Sequence, residues 1–322
     1  MKFVVFGATG FLGGQIARAA LEAGHQVRGL RRATAHIGTL GDLPVEWVSG
    51  DLNNPPSLLE AISGCDVLYH AAGYYPSTDR DVGRAIARAR SEIRAVLDAA
   101  RAARIRRMVF TSSLTTIGSP PAGENRLADE RDAYTPGSVS NAYFEAKWVM
   151  EAETLAASSG DFETLALVPT LVFGPGDLKP SSGQALLELA RGRLPVGIDM
   201  VINVVDGRDV ALAHVRAAQI GQPGERVIIG GHNLTVSAML TVAAHAAGVR
   251  PPRWTLSRQA AVRLVGIGAA LRLPIPESMR GIEHFQALNP ARGWHTFGFE
   301  PRPFEDTARD AIDWFRQHGY FK

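Results

Sequence analysis

The 322-residue sequence predicts an α/β fold: a doubly wound parallel sheet with helices on both faces, followed by a smaller mixed α/β portion. Three observations predict it. Strand-like apolar runs alternate with helical patterns from residue 2 to about 168. The chain opens on the strand–turn–helix stretch MKFVVFGATGFLGG, and the remainder is broken by prolines and mixes short strands with helices. The organisation expected is a dinucleotide-binding domain over residues 1–173 and a substrate-binding portion over 174–322, interleaved with the first rather than independent.

The run Phe3-Val4-Val5-Phe6 has the length of a buried parallel strand and stops at Gly7, where a helical pattern over residues 11–23 begins. Glycines at 7, 10 and 13 give the spacing GxxGxxG. Gly7 allows the tight turn, Gly10 lets the backbone approach a pyrophosphate, and Gly13 lets the helix pack closely on the strand. The free N–H groups and positive end of the helix then face the phosphates. The alternative is a glycine-rich turn without a ligand, since the chain holds 33 glycines.

A second strand, residues 26–30, ends in Arg31-Arg32. In such folds an acid at this place binds the ribose 2′-OH, whereas arginine accommodates a 2′-phosphate, so NADP(H) is favoured and NAD(H) stays open. The alternative is two solvated arginines in a chain with 30 arginines and only four lysines, Lys2, Lys147, Lys179 and Lys322. A short strand over 45–48 leads into Gly50-Asp51-Leu52, where the aspartate could accept from an adenine amino group. Prolines 55 and 56 then start a helix. The strand over 66–70 closes on Ala71-Ala72-Gly73, small residues where backbone can pass close to a cofactor. A long amphipathic helix is expected over 79–104. A strand over 108–111 runs into Ser112-Ser113, and a helix beginning at Asn141 carries Tyr143 and Lys147 one turn apart on one face. In the second part, 202–205 and 226–229 read as strands, and 257–273, mostly apolar with three arginines, reads as a core or lid helix. Contact of that helix with a membrane surface is open but not expected.

Composition bounds the function. Apolar residues at 46%, charged residues at 20% and a net charge of +2 describe an ordinary globule and give no nucleic-acid footprint. The single cysteine, Cys65, excludes an internal disulfide framework and a cysteine metal cluster, and no metal site is expected. The first strand starts at once, leaving no room for a signal peptide, and no uncharged run has transmembrane length, so a cytoplasmic protein is expected.

The Tyr143–Lys147 pair carries the chemistry. A phenol titrates near 10 and is a poor acid–base group at neutral pH unless a neighbouring cation stabilises its anion. Lysine one turn away supplies that charge and can also hold the ribose of a nicotinamide nucleotide. Ser113 could bind the same substrate oxygen that Tyr143 protonates. Chance would place lysine four residues after a tyrosine on the order of 0.1 times in this chain, though an exposed helix pair is the alternative.

GATGFLG at residues 7–13, GDL at 50–52, FTSS at 110–113, YFEAK at 143–147 and VPTLVFGPGD at 168–177 stand in an order and spacing that resemble the extended short-chain dehydrogenases/reductases over essentially the whole chain. GPGDLKP, PGERVIIGG and FEPRPFEDTARDAIDWF resemble most the dihydroflavonol-reductase-like branch with its hopanoid-associated sugar-epimerase-like members. The resemblance implies a Rossmann-type fold with Tyr143 as general acid or base, Lys147 lowering its pKa and binding ribose, and Ser113 orienting the reacting oxygen. It implies that Gly7, Gly10, Phe11, Leu12 and Gly13 serve the pyrophosphate, Asp51 and Leu52 the adenine, Ala71 and Ala72 the middle of the cofactor, and the segment from Pro169 to Val172 the nicotinamide. One departure is Ala89, where the family carries an asparagine in the long helix.

Tyr74, Tyr75, Thr115, Asn141, Thr170 and Lys179 are the candidates for substrate contact, each with an ordinary packing role as the alternative. The expected function is NADP(H)-dependent hydride transfer to or from a secondary alcohol or ketone, with an isoprenoid- or sterol-like small molecule left open by the resemblance. The alternatives are a nucleotide-sugar epimerase or dehydratase with tightly bound NAD, and a cofactor-binding scaffold or sensor without turnover. The resemblance also implies pairing through helices such as those of 79–104 and 143–157, so a homodimer is slightly favoured over a monomer.

Overall fold

The computed structural model describes residues 1–73, 81–139, 141–271 and 282–321. Six strands, β1 (Lys2–Phe6), β2 (Gln26–Arg31), β3 (Val45–Ser49), β4 (Val67–His70), β5 (Arg107–Thr111) and β6 (Glu163–Pro169), build most of a sheet. Three short strands follow, β7 (Leu171–Phe173), β8 (Val196–Asp199) and β9 (Val201–Asp206), before β10 (Arg226–Ile229) returns to the sheet beside β6. The order is β10-β6-β5-β4-β1-β2-β3, with every neighbouring pair parallel. The last strand of the sheet therefore comes from the second half of the chain.

The apolar run of β1 faces two cores because alternate residues of a strand point to opposite faces. Phe3 and Val5 join α1 (Phe11–Glu22) through Ile16, Ala17 and Ala20 on one side. Val4 and Phe6 meet α2 (Pro55–Ile62), α3 (Val82–Ala102) and α4 (Ala142–Ala156) on the other, through Leu58, Ile93, Val96 and Met150. The long helix starts at Val82, where the Asp81 carboxylate accepts from the Arg84 N–H at 3.0 Å; its expected start at 79 falls outside the described residues. Ala89 is fully buried in the second core.

Beyond β6 come α5 (Gly183–Ala190) and α6 (Gly207–Ala217), the latter packed on α1. A third core gathers β7 and β9, β11 (His232–Thr235), α7 (Val236–Ala247) and α10 (Phe304–Gln317) around Phe173, Met239 and Ile312; α9 (Ala291–Phe297) packs against β10. β12 (Trp254–Ser257) pairs with β8 and leads into α8 (Arg258–Ala270). The expected helix is present over most of 257–273 and is covered on one side only: Ala261 is buried, whereas Leu264 and Ile267 are exposed.

Candidate active site

Parallel strands end on one edge of a sheet, so the turns that follow them meet there. In the order β3, β2, β1, β4, β5, β6, that edge carries Asp51 and Leu52, Arg31 and Arg32, Gly7, Ala71 and Ala72, Ser113, then Pro169 and Thr170. Gly7 stands where the strand order reverses, the place at which open α/β sheets bind ligands.

The glycine turn is dictated by contact. Gly7 has φ +90°, and a Cβ there would come 2.8 Å from the Ala71 carbonyl carbon and the Ala72 nitrogen. A Cβ on Gly13 would lie 2.1 Å from the Gly7 oxygen, so only glycine lets α1 start against the end of β1. The Gly10 N–H donates to the Gly7 oxygen at 2.9 Å. No side chain caps α1 at Gly10 and no acid stands in its first turn, which leaves its N–H groups and dipole for an anion. Phe11 packs its ring against Gly174 and Gly207, and Leu12 packs on the first core, so both offer a ligand mainly their backbone. This cradle fits the pyrophosphate of a dinucleotide.

On the adenosine side Arg31 closes β2 and donates to the Ala35 oxygen at 3.1 Å, while Arg32 is exposed. The loop beyond is tied back over α1: Arg18 donates to the Thr39 oxygen at 2.9 Å, and Gly38 packs against Thr9 so closely that a Cβ would lie 2.8 Å from its oxygen. The Asp51 carboxylate accepts from both the backbone and side-chain nitrogens of Asn53 at 2.9 Å, and these bonds hold its pKa below the usual range. Leu52 packs at the margin of the second core.

Tyr143 and Lys147 lie one turn apart on α4, both half-buried. Asn141 caps the helix, its side-chain oxygen accepting from the Tyr143 N–H at 2.9 Å, so this substrate candidate has a local structural use. The Lys147 ammonium donates to the Thr111 carbonyl at 3.0 Å and sits 5.3 Å from the Phe110 ring centroid. Burial pulls its pKa down to about 8, and the Glu151 carboxylate one turn on opposes that fall. Ser113 follows β5; its hydroxyl accepts from the Thr115 N–H at 3.3 Å, opening the short 3-10 turn Leu114–Thr116.

Around these groups lies a buried polar frame that sequence reading missed. Glu151 accepts from the Ser112 hydroxyl and, at 2.7 Å, from the Thr116 hydroxyl, on either side of Ser113. Its other oxygen meets Arg226 of β10 at 3.2 Å, and Arg226 also donates to the Thr116 and Glu130 carbonyls. His214 of α6 has Nδ1 2.8 Å from the Val210 carbonyl, so Nδ1 carries the proton and Nε2 accepts from the Thr111 hydroxyl at 2.8 Å. Burial lowers His214 to about 4 and His70, between the rings of Phe6 and Phe110, to about 3, so both are neutral at pH 7. The signal for Glu151 was a carboxylate one turn beyond Lys147 on a buried helix face. Its partner Arg226 left no local sign.

Thr115 and Thr170 have buried hydroxyl oxygens without a hydrogen-bond partner, and both border the line of turns. Next to them Leu114, Leu171, Ile202, Phe285 and Leu288, with the amides of Asn203 and Gln286, line a narrow cavity. Pro169 and Val172 flank Thr170 in β6 and β7. Lys179 is exposed in the loop beyond β7, and Tyr74 and Tyr75 lie outside the described residues.

The sequence matches the model of the NAD dependent epimerase/dehydratase family over residues 3–230. It is 30% identical to a putative dihydroflavonol 4-reductase of Synechocystis sp. over 335 aligned positions, covering 99% of this chain and 96% of that protein. It is 28% identical to sterol demethylase protein B of Methylococcus capsulatus, covering 99% of each. The crystal structure of a nucleoside-diphosphate-sugar epimerase from Pseudomonas aeruginosa superposes with a TM-score of 0.85 at 25% identity, covering 100% of this chain and 99% of that one. No helix among the described residues is long and apolar enough to cross a membrane. With the glycine cradle, the single-edged line of turns and these relatives in view, the chain belongs to the NAD dependent epimerase/dehydratase family, the extended short-chain dehydrogenases/reductases, and is an NAD(P)-dependent enzyme of that type.

Proposed function

We propose that the protein is an NADP(H)-dependent oxidoreductase that interconverts a ketone and a secondary alcohol on an apolar substrate. The observation that carries the reading is the Tyr143–Lys147 pair on α4, whose ammonium is held at the end of β5 just before Ser113, on the same sheet edge as the glycine cradle. A sugar nucleotide brings a diphosphate, which needs arginine, lysine or a helix N-terminus. A fused-ring or isoprenoid ketone needs only apolar walls and a few amides, and the relatives named for a dihydroflavonol and a sterol agree with that class.

NADPH, when bound, supplies the hydride. In the direction of reduction Tyr143 gives its phenolic proton to the carbonyl oxygen as that oxygen gains charge, and Ser113 donates a hydrogen bond to the same atom. Lys147 holds the resulting phenolate electrostatically and takes the nucleotide ribose with its remaining donors. Thr111, held by His214, keeps the Lys147 ammonium in place through its carbonyl. Arg31 and Arg32 at the end of β2, where the sequence carries no acid of its own and the nearby Asp51 comes from the next turn, support the 2′-phosphate preference.

The test is loss of NADPH absorbance with sterol, flavanone and linear isoprenoid ketones, with NADH in parallel. One equivalent of alcohol should form per NADPH, and Tyr143→Phe should bind cofactor normally while losing about 10²-fold or more in kcat. Turnover of a sugar nucleotide with no net change in absorbance would replace this reading with the epimerase. A preference for NADH would remove the role of the arginine pair.

A further inference from the structure

We propose that α8, with the strand that leads into it, docks the enzyme on an anionic lipid surface. The reading concerns a different part of the molecule from the reaction site and stands apart from the chemistry proposed for it. Nine large hydrophobic side chains are strongly exposed among the described residues, and four of them, Trp254, Leu264, Ile267 and Leu271, fall within 18 residues of chain. Leu264, Ile267 and Leu271 are 57%, 56% and 66% exposed. At 100° per residue Leu264 and Ile267 lie 60° apart on one side of the helix and Leu271 follows its last turn, while Val262 and Val265, 160° and 100° round from Leu264, pack against the third core with Ala261.

Charge identifies the occupant. From Arg250 to Leu271 the sequence has four arginines, 250, 253, 258 and 263, all exposed, and no aspartate or glutamate. Acids do approach from neighbouring elements: Asp199 is paired with Ser257, and Glu283, whose backbone oxygen accepts from Arg258 at 2.8 Å, is exposed at the rim. Arg253 lies 5.3 Å from the Trp254 ring centroid, an indole and guanidinium side by side at the surface. Aliphatic residues on one side, a tryptophan on the strand that leads into the helix and an excess of arginine over acid along the segment are what an amphipathic helix needs to lie in a lipid interface. A second copy of this chain would present the same arginines and repel, which favours an anionic lipid over self-association.

The full-length protein should co-sediment with extruded vesicles of phosphatidylglycerol and phosphatidylcholine in equal parts, bind pure phosphatidylcholine vesicles at least tenfold more weakly, and release from the mixed vesicles as salt rises from 0.1 to 0.5 M. Leu264→Ser/Ile267→Ser/Leu271→Ser should lower binding on the order of 100-fold, and Arg253→Gln/Arg263→Gln about 25-fold, near fivefold for each charge. Both variants should keep the melting temperature and NADP(H) affinity of the parent, which separates loss of docking from loss of fold or of the reductase site. No binding to the mixed vesicles, or equal binding by the serine variant, overturns the proposal. A parent dimer that the serine variant abolishes also overturns it and assigns the face to a second copy.

Discussion

The Nζ of Lys147 stands 3.0 Å from the carbonyl oxygen of Thr111, the last residue of β5, while the Thr111 side chain bonds His214 of α6. The helix bearing the candidate acid–base pair is therefore pinned to the strand that ends in Ser112-Ser113, and that strand is pinned in turn from the opposite face of the sheet. Loss of water around the ammonium pulls its pKa down to about 8, even though the Thr111 carbonyl and the Phe110 face both favour the cation.

That fall is measurable. Below pH 8 the lysine is charged in both folded and unfolded chains, and the folded state carries the whole burial cost. Between 8 and the ordinary lysine value of 10.5 the folded lysine sheds its proton first, so the cost shrinks, and above 10.5 it is gone. Relative to Lys147→Met, the parent should therefore gain stability by up to roughly 3 kcal/mol as pH rises through this window. Urea unfolding of both proteins at pH 7, 9 and 10.5 reads the difference, and a constant gap would contradict the shifted titration. At pH 7 the same variant should lose about 10²- to 10⁴-fold in kcat/KM.

Glu151 ties this helix to the serine turn and to β10. Its carboxylate receives Ser112, Thr116 and Arg226 in a buried place, and its charge supports the Lys147 ammonium. Glu151→Gln should cost about 3 kcal/mol of stability and move the Lys147 titration to lower pH. Pairing it with Arg226→Met should recover part of the stability, because no buried cation is then left without its partner, yet it should not restore the titration. A stability loss without movement of the pH midpoint would restrict Glu151 to the frame and remove its electrostatic influence on the lysine.

The part of the fold that was legible is the part set by local contact. The GxxGxxG turn could be read because each glycine answers to atoms within a few residues or at the next strand, and β1 could be read because a short apolar run has few other uses. Asn141 shows the limit: as a residue type it suggests substrate contact, but at the start of a helix its oxygen satisfies the Tyr143 N–H. The pairing of Glu151 with Arg226, 75 positions on, had no signal in spacing, since their meeting depends on β10 returning beside β6. In the 257–273 stretch a helix could be expected, but apolar content alone does not say which face of it is covered. Only the packing of α8 shows Leu264 and Ile267 turned outward.

Gly13 offers a direct test of the turn. Gly13→Ala places a methyl 2.1 Å from the Gly7 oxygen, where backbone sits on both sides and only a shift of α1 can relieve it. The expected loss is at least roughly 3 kcal/mol, together with loss of cofactor binding. Gly24 provides the comparison: it has φ +79° and nothing within 4 Å of a Cβ, so Gly24→Ala should cost only about 1–2 kcal/mol and leave binding intact. Equal losses in the two variants, measured by thermal unfolding and by titration with NADPH, would mean that the close approach of α1 to β1 is not what selects glycine.

Asp177 gives a pH signature of opposite sign to the lysine. Burial in the loop after β7 raises its pKa to about 6, even though backbone N–H groups of Ser181 and Gly183 favour the anion. A folded pKa above the unfolded value of 3.8 means that the folded state binds the proton more tightly. The associated stability is complete below pH 3.8 and is lost as pH climbs through 6. Asp177→Asn keeps an oxygen to accept from the same N–H groups but never ionises, so it should match the parent near pH 4 and exceed it by up to about 3 kcal/mol at pH 7.5. Chemical unfolding at the two pH values decides the matter: if the variant is less stable at pH 7.5, the ionised carboxylate is favoured in the fold and the hydrogen bonds from residues 181 and 183 outweigh the cost of burying it.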